Sequence, residues 1–379
     1  MEKNVVIAGY VRTPFHFAGK GALSNVRPDD LAAAAVTELL KRSGVNGGDI
    51  EDLIMGCAFP EGEQGFNIAR LTVNLAKLPV SVAGVTVNRF CGSSMQSIHQ
   101  AAGAIQMGAG DVFICAGVES MTRIPMGGFN PLLNPALVAN FPQAYIGMGE
   151  TAENLAKKYR ISRDRQDAFA AQSQKKAAAA RAGGRLKDEI AAVLTPTGTV
   201  TEDGCIRPDT TAETLAGLKP AFDSHGTVTA GTSSPLTDGA VATLVCSETY
   251  AKGHKLDILA RIKSIAVCGC PPEIMGIGPV GATGKALARA GLTLGDIDVI
   301  ELNEAFAAQS LAVIEELKID ESKLNLDGGA IALGHPLGAS GARITAKAAQ
   351  IMKREGKRFA LATMCIGGGQ GIATVLEAV

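Results

Sequence analysis

A chain whose second half repeats the landmarks of its first is restricted to few architectures, and this chain repeats them. Gly48-Asp49-Ile50-Glu51-Asp52 returns as Gly295-Asp296-Ile297-Asp298-Val299, an offset of 296 − 49 = 247 residues. Gly92-Ser93-Ser94 opens a helical pattern that ends before the apolar run Asp111-Val112-Phe113-Ile114. Its counterpart, Gly338-Ala339-Ser340, opens one that ends before Lys357-Arg358-Phe359-Ala360, an offset of 338 − 92 = 246. Two landmarks at nearly one spacing predict a duplicated half. Chance likeness between two strand–helix units is the alternative.

Each copy alternates apolar runs with helical periodicity. Asn4 to Tyr10, Leu53 to Cys57, Val82 to Val87 and the run from Asp111 predict strands. Pro28 to Arg42 predicts an amphipathic helix stopped near Gly44, and Met95, Ile98, Ala102 and Ile105 share one face of the helix after Cys91. The alternation predicts an α/β protein with a largely buried sheet. From about Glu119 to Val245 the rhythm breaks. A Pro/Gly/Asn-rich stretch (125–142), a helical pattern (163–181) and a Thr/Gly/Pro-rich segment (195–220) predict a large insertion. The expected organisation is a first half at 1–118 and 246–250, an inserted loop domain at 119–245, and a second half at 251–379.

Composition excludes some functions. A net charge of −1 over 379 residues gives no electrostatic footprint for nucleic acid. Lys353, Arg354, Lys357 and Arg358 are read as a solvated helix end. The eight cysteines (Cys57, Cys91, Cys115, Cys205, Cys246, Cys268, Cys270 and Cys365) form no Cys-x-x-Cys pair, which argues against a metal site. No export signal or bilayer-spanning apolar run is read, so free thiols in a reducing, cytoplasmic compartment and no transmembrane segment are expected.

Four segments can carry chemistry. Cys91 lies between an apolar strand and a helix that opens with Gly-Ser-Ser. A helix N-terminus favours the thiolate, the nucleophilic form, although an inert buried thiol is the bland reading. His335 sits among glycines in Gly328 to Gly341, read as strand, turn and helix. An imidazole there suits activation of a thiol, or is a structural turn residue. Cys365 precedes the Gly-rich loop Gly367-Gly368-Gly369, whose backbone N–H groups suit an oxyanion; no Walker or dinucleotide pattern accompanies it. Asn303 follows the strand Val299 to Leu302, where it either faces the cleft or caps a helix.

Together these segments resemble the thiolase family. The motifs are Val87-Asn88-Arg89-Phe90-Cys91-Gly92-Ser93-Ser94, Asn303-Glu304-Ala305-Phe306-Ala307, Gly328 to Gly341 around His335, and Cys365-Ile366-Gly367-Gly368-Gly369. Arg12-Thr13-Pro14, Gly65 to Arg70 and Thr229 to Ser234 extend the likeness over the whole chain. The resemblance implies a duplicated thiolase fold: two α/β halves, each with a five-stranded sheet, in a layered αβαβα arrangement with an inserted loop domain. It implies cleavage of a 3-oxoacyl-CoA by coenzyme A as cosubstrate, with no permanently bound cofactor. Cys91 would be the acylated nucleophile, His335 its base, Cys365 the second acid/base, and Asn303 and Gly367 parts of two oxyanion sites. Lys219, Ser234, Met275 and Phe306 would meet CoA, with Lys219 standing where many members carry arginine. A homodimer or higher homo-oligomer is implied, as is docking to a hydratase–dehydrogenase multifunctional protein.

Within the family, Gly65 to Arg70, Thr229 to Ser234 and Ala362 to Ile366 resemble the bacterial fatty-acid β-oxidation enzymes. The alternative is the biosynthetic acetoacetyl-CoA-forming group, whose tetramer-forming loop is longer than the stretch from Glu119 to Gly149. Ile124, Met126, Phe129, Leu132, Leu133, Leu137, Val138 and Phe141 in that stretch would line an acyl tunnel or pack the loop domain itself. Carrier-protein condensing enzymes share the duplicated fold but lack a second catalytic cysteine. A non-catalytic relative would not be expected to keep all four groups.

Overall fold

The computed structural model describes residues 3–379. Among them the strands are β1 (Val5–Arg12), β2 (His16–Phe17), β3 (Asp52–Gly56), β4 (Ala83–Val87), β5 (Val112–Ser120), β6 (Val193–Thr195), β7 (Gly198–Val200), β8 (Thr237–Ser247), β9 (Ala260–Gly269), β10 (Val299–Leu302), β11 (Phe359–Ile366) and β12 (Gln370–Glu377). One mixed sheet runs β4-β3-β5-β8-β1 and continues as β9-β12-β11-β10, and β2 extends β8. Within the sheet, among the described residues, the halves join where β1 meets β9, at Val6 opposite Arg261 and Ile7 opposite Ala260.

The pairing pattern is written twice. In the first half β4, β3 and β5 are parallel, and β8 runs antiparallel to both β5 and β1. In the second, β10 and β11 are parallel, and β12 runs antiparallel to both β11 and β9. β10 starts 299 − 52 = 247 residues after β3, and β11 starts 359 − 112 = 247 after β5, the spacing read in the sequence. The copies are not equal. No counterpart of β4 forms; a single parallel bridge, Ile300 to Leu324, stands there. The reason is local. Asn325 (φ +43°) turns its amide onto β10, accepting from the Leu302 N–H and donating to the Leu302 carbonyl, both at 2.9 Å. A side chain thus satisfies the edge that a fifth strand would have covered.

Helices Ser93–Gln106 and Leu337–Arg354 pack against each other between the two halves. Their approach needs Gly341, because a Cβ there would lie 2.5 Å from the Met95 nitrogen. Helix Pro28–Ser43 covers the outer face of the first half, ending on Gly44 at φ +67°, and helix Gly278–Ala290 covers the second. These are the five layers of an αβαβα sandwich. The central helix Leu337–Arg354 is buried on nearly every side, so its cations need partners. Lys347 pairs with Glu189 and Asp327 at 2.9 Å each, and Arg343 lies 3.4 Å from Glu301.

The chain leaves the sheet after Ser120 and re-enters it at Thr237. Thr237–Ser247, most of which the sequence placed inside the insertion at 119–245, is therefore a strand of the first half. The intervening segment holds helices Met148–Lys158 and Arg163–Ala182 and the β6–β7 hairpin. Gly328 to Leu333 is also not a strand: Ala330–Leu333 is one helical turn. The buried Glu304 carboxylate accepts the Ile331 N–H at 3.2 Å and holds that turn's start. Of the eight apolar residues in the 124–141 stretch, only Ile124 is buried; packing of the loop domain does not account for the other seven. No helix among the described residues is long and apolar enough to cross a membrane.

Candidate active site

β4 ends at Val87, and Phe90–Gly92 makes a 3₁₀ turn before the helix Ser93–Gln106. Phe90 takes φ +41°, a left-handed conformation uncommon for an aromatic residue. Polar side chains hold it there. Asn88 Oδ1 accepts the Phe90 N–H at 2.8 Å, Ser93 Oγ donates to the Phe90 carbonyl at 2.6 Å, and Arg89 donates to Gln96 and Gln370. The next residue, Cys91, is thereby fixed over the end of β11. Gly92 makes this seating possible, since a Cβ there would lie 2.6 Å from Ile366 Cδ1. Cys91 also packs on the cluster of Ala58, Met121 and Leu337, two residues past His335.

His335 lies on the turn between Ala330–Leu333 and the central helix, buried to 5% exposure. Its Nδ1 is 2.5 Å from Ser340 Oγ, and its Nε2 is 3.4 Å from Asn303 Nδ2. The Ser340 hydroxyl also donates to the Pro336 carbonyl at 3.0 Å, so Nδ1–H is the donor to Ser340 and Nε2 is left as the acceptor. Asn303 is not a helix cap, because the following helix, Ala307–Leu317, is capped by Phe306. Asn303 Oδ1 is buried without a partner, an acceptor held ready beside the imidazole. Cys91 and His335 are not hydrogen-bonded to each other in this resting arrangement.

Cys365 is buried near the end of β11, and the next residues turn so that the Gly367 N–H lies where it favours the Cys91 thiolate. Burial pushes the Cys91 thiol up to about 11 and outweighs the Gly367 N–H and its own N–H, which favour the thiolate; the Glu119 carboxylate pushes it further up. The backbone N–H groups favour the thiolate, as the sequence reading expects, and desolvation of the sulfur exceeds their pull. Burial and, secondarily, Arg343 hold His335 down at about 3, so the imidazole is neutral. Burial and the facing Cys91 raise the Cys365 thiol. The site at rest holds two thiols and a neutral imidazole.

Met275 and Phe306 share one apolar cluster with Cys365, against which Met148 packs. Ser234 is tied to the same wall: its N–H and Oγ both donate to the Ala305 carbonyl, at 2.9 and 3.0 Å. Phe222 meets Phe306 edge-on with centroids 5.8 Å apart. Lys219, three residues before Phe222, is exposed, and the structure brings it into contact with none of these groups.

Residues 5–249 match the profile of the thiolase N-terminal domain, and residues 256–378 that of the thiolase C-terminal domain. The chain belongs to the thiolase family. It is 50% identical over 390 residues to a 3-ketoacyl-CoA thiolase of Bacillus subtilis, with 100% of both chains covered. It is 52% identical over 388 residues to one of Shewanella denitrificans, again with 100% of both covered. Among solved structures, human mitochondrial 3-ketoacyl-CoA thiolase in complex with CoA superposes with a TM-score of 0.92 at 40% identity, covering 100% of this chain and 98% of that one.

In this thiolase, residues beyond the sequence-derived set complete the site. Ser340 fixes the His335 ring, and Thr237 accepts the His335 backbone N–H at 3.0 Å. Ser340 was findable, since it stands five residues beyond His335 in the same motif. Glu119 had no such signal; its partners lie 61 and 219 residues away in the chain.

Proposed function

We infer that the chain acts as a degradative 3-ketoacyl-CoA thiolase, an acetyl-CoA C-acyltransferase that cleaves a 3-oxoacyl-CoA with CoA to acetyl-CoA and a shortened acyl-CoA. One arrangement carries the reading: Cys91 lies close enough to Cys365 to raise its thiol, and Cys365 stands two residues past Thr363, whose carbonyl accepts the N–H of Asn303, the partner of His335. Hydrolysis needs one nucleophile and one base. Breaking a carbon–carbon bond and then accepting a second thiol needs a further proton carrier, which a second cysteine supplies.

The proton count closes. Cys91 sulfur attacks the 3-oxo carbonyl and its proton passes to His335 Nε2, the acceptor nitrogen. The tetrahedral oxyanion meets the N–H groups of Cys91 and Gly367. As the C2–C3 bond breaks, its electron pair becomes the enolate of acetyl-CoA, whose oxygen faces His335 and an Asn303-held water. Cys365 protonates the enolate carbon, and acetyl-CoA leaves. The Cys365 thiolate then takes the proton of incoming CoA, whose sulfur attacks the acyl-Cys91 thioester, and His335 returns its proton to Cys91. Each oxyanion donor is worth about 3–4 kcal/mol of transition-state stabilisation.

Phe306, Met275 and Ser234 are assigned to the pantetheine arm, and Lys219 to the phosphate end of CoA, as a point charge without arginine's planar fork. The chain divides into two thiolase halves and a loop domain that carries much of this CoA wall. The exposed apolar residues from Met126 to Phe141 are assigned to the acyl chain; the turn after them, Pro142–Tyr145, packs on Pro272–Ile277, which contains Met275. A medium- or long-chain 3-oxoacyl group is therefore the preferred substrate. Each buried methylene adds up to ~0.8 kcal/mol, or up to roughly fourfold in kcat/KM, until the tunnel is filled. Thiolysis measured from acetoacetyl-CoA to a long-chain 3-oxoacyl-CoA should climb with length. A profile that peaks at acetoacetyl-CoA and falls with every added carbon would support the biosynthetic reaction instead.

The same reading makes the working form at least a dimer, with docking to a hydratase–dehydrogenase partner and residence in the cytoplasm, where the eight free thiols stay reduced. Light scattering at micromolar concentration should give at least twice the 38.9 kDa chain mass, and a fully active monomer would contradict this.

A further inference from the structure

Glu119 ends β5 as a carboxylate 1% exposed, and it makes no ion pair among the described residues. Burying a charge this way is costly unless N–H groups replace the lost water. Four do. Oε2 accepts the Ala58 N–H at 2.8 Å and the Gly338 N–H at 2.9 Å; Oε1 accepts Gln64 Nε2 at 2.7 Å and the Phe59 N–H at 3.2 Å. The Cys57 thiol lies 3.8 Å from Oε1.

These contacts form a continuous path between the two halves of the reacting pair. Gly338 is three residues past His335, and its N–H ends on Glu119. The same oxygen takes the Ala58 N–H; the Ala58 carbonyl takes Asn88 Nδ2 at 2.9 Å; Asn88 Oδ1 takes the N–H of Phe90, which precedes Cys91. Cys91 and His335 share no direct bond; beside the packing of Cys91 on Leu337 and the helix contact at Gly341, this path is the hydrogen-bonded link between their turns. We propose that Glu119, acting through Asn88, is a positioning residue of the acyl-transfer reaction: one buried carboxylate clamps the turn that carries His335 to the turn that carries Cys91. The proposal rests on the thiolase reading above.

The clamp has a signature that a merely structural carboxylate lacks. The titratable groups that act on Cys91 or are acted on by it are Glu119 from β5 and Cys365 from β11; those facing Glu119 are Cys57 and Cys91. Because the Glu119 charge disfavours the Cys91 thiolate, Glu119→Gln removes that opposition while turning an amide N–H₂ toward N–H donors. The variant should be alkylated at Cys91 by iodoacetamide at lower pH than the parent, yet turn over about 10²-fold more slowly, the scale of a small misplacement of reacting groups. Asn88→Ala breaks the path at an exposed loop and leaves the charge in place. It should lower kcat roughly 10-fold with the alkylation pH profile unmoved, and the double variant should be no slower than Glu119→Gln. Losses that multiply in the double variant, or kcat within twofold of the parent in either folded single variant, would overturn the clamp. If Glu119→Gln does not fold, Asn88→Ala decides by itself. An inert parent refutes the thiolase reading instead.

Discussion

Cys91→Ala should abolish thiolysis while the protein remains folded. The side chain makes no hydrogen bond to another side chain, and the 3₁₀ turn around it is held by Asn88, Ser93 and Arg89, so its loss leaves the turn intact. What disappears is the thiol whose ionised form the Gly367 N–H favours. Removing a covalent nucleophile from an otherwise complete site costs roughly 10⁴–10⁶-fold in kcat. The resting ionisation adds a second expectation. With the Cys91 thiol at about 11 and His335 at about 3, both groups are neutral across the physiological range. The sign is fixed by burial: the raised thiol pKa keeps the proton on sulfur below it, so the thiolate fraction grows tenfold per pH unit. Alkylation of the substrate-free parent by iodoacetamide should therefore rise continuously from pH 7 to 10. A plateau by pH 7 would mean a resting thiolate–imidazolium pair and would contradict this picture, as would normal turnover by Cys91→Ala.

Cys365→Ala should separate the two halves of the reaction. The nucleophile and its oxyanion donors remain, because Gly367 contributes its backbone and not its side chain. The variant should still take an acyl group onto Cys91. It should turn over about 10²–10⁴-fold more slowly, since neither the enolate nor the incoming CoA has its proton carrier. Stopped assays should show acyl-enzyme accumulating in the variant and not in the parent. A folded variant that cannot be acylated would mean that Cys365 acts before the first chemical step, and the roles assigned to the two cysteines would be wrong.

Much of this architecture was legible because burial on both faces writes continuous apolar runs, and because the duplication fixes one spacing for two halves. β3, β5 and their counterparts β10 and β11 stand at that spacing. The missing counterpart of β4 was not legible: the Asn325 amide replaces a strand, and a side chain substituting for a ladder leaves no periodic trace. Residues 237–245 were put in the insertion because 116 residues (121–236), with helices and a hairpin of their own and no strand of the large sheet, separate Thr237 from its partner strand β5. At the site, the motifs named Cys91, His335, Asn303 and Cys365, and the fold brings their turns together. The resting protonation of the pair was not legible, because local sequence shows the helix N-terminus and not the desolvation that opposes it. Lys219 shows the limit of motif position as a guide, since an exposed residue on a loop makes no contact that identifies its ligand.

Which sulfur carries the acyl group decides the roles of both cysteines. The most direct measurement is peptide mass spectrometry of the parent protein after brief exposure to an acyl-CoA, quenched in acid. The acyl mass should appear on the peptide containing Cys91 and on no other, and adding CoA before the quench should remove it. An acyl group on Cys365, or no acyl-enzyme from a parent that still cleaves 3-oxoacyl-CoA, would contradict those roles.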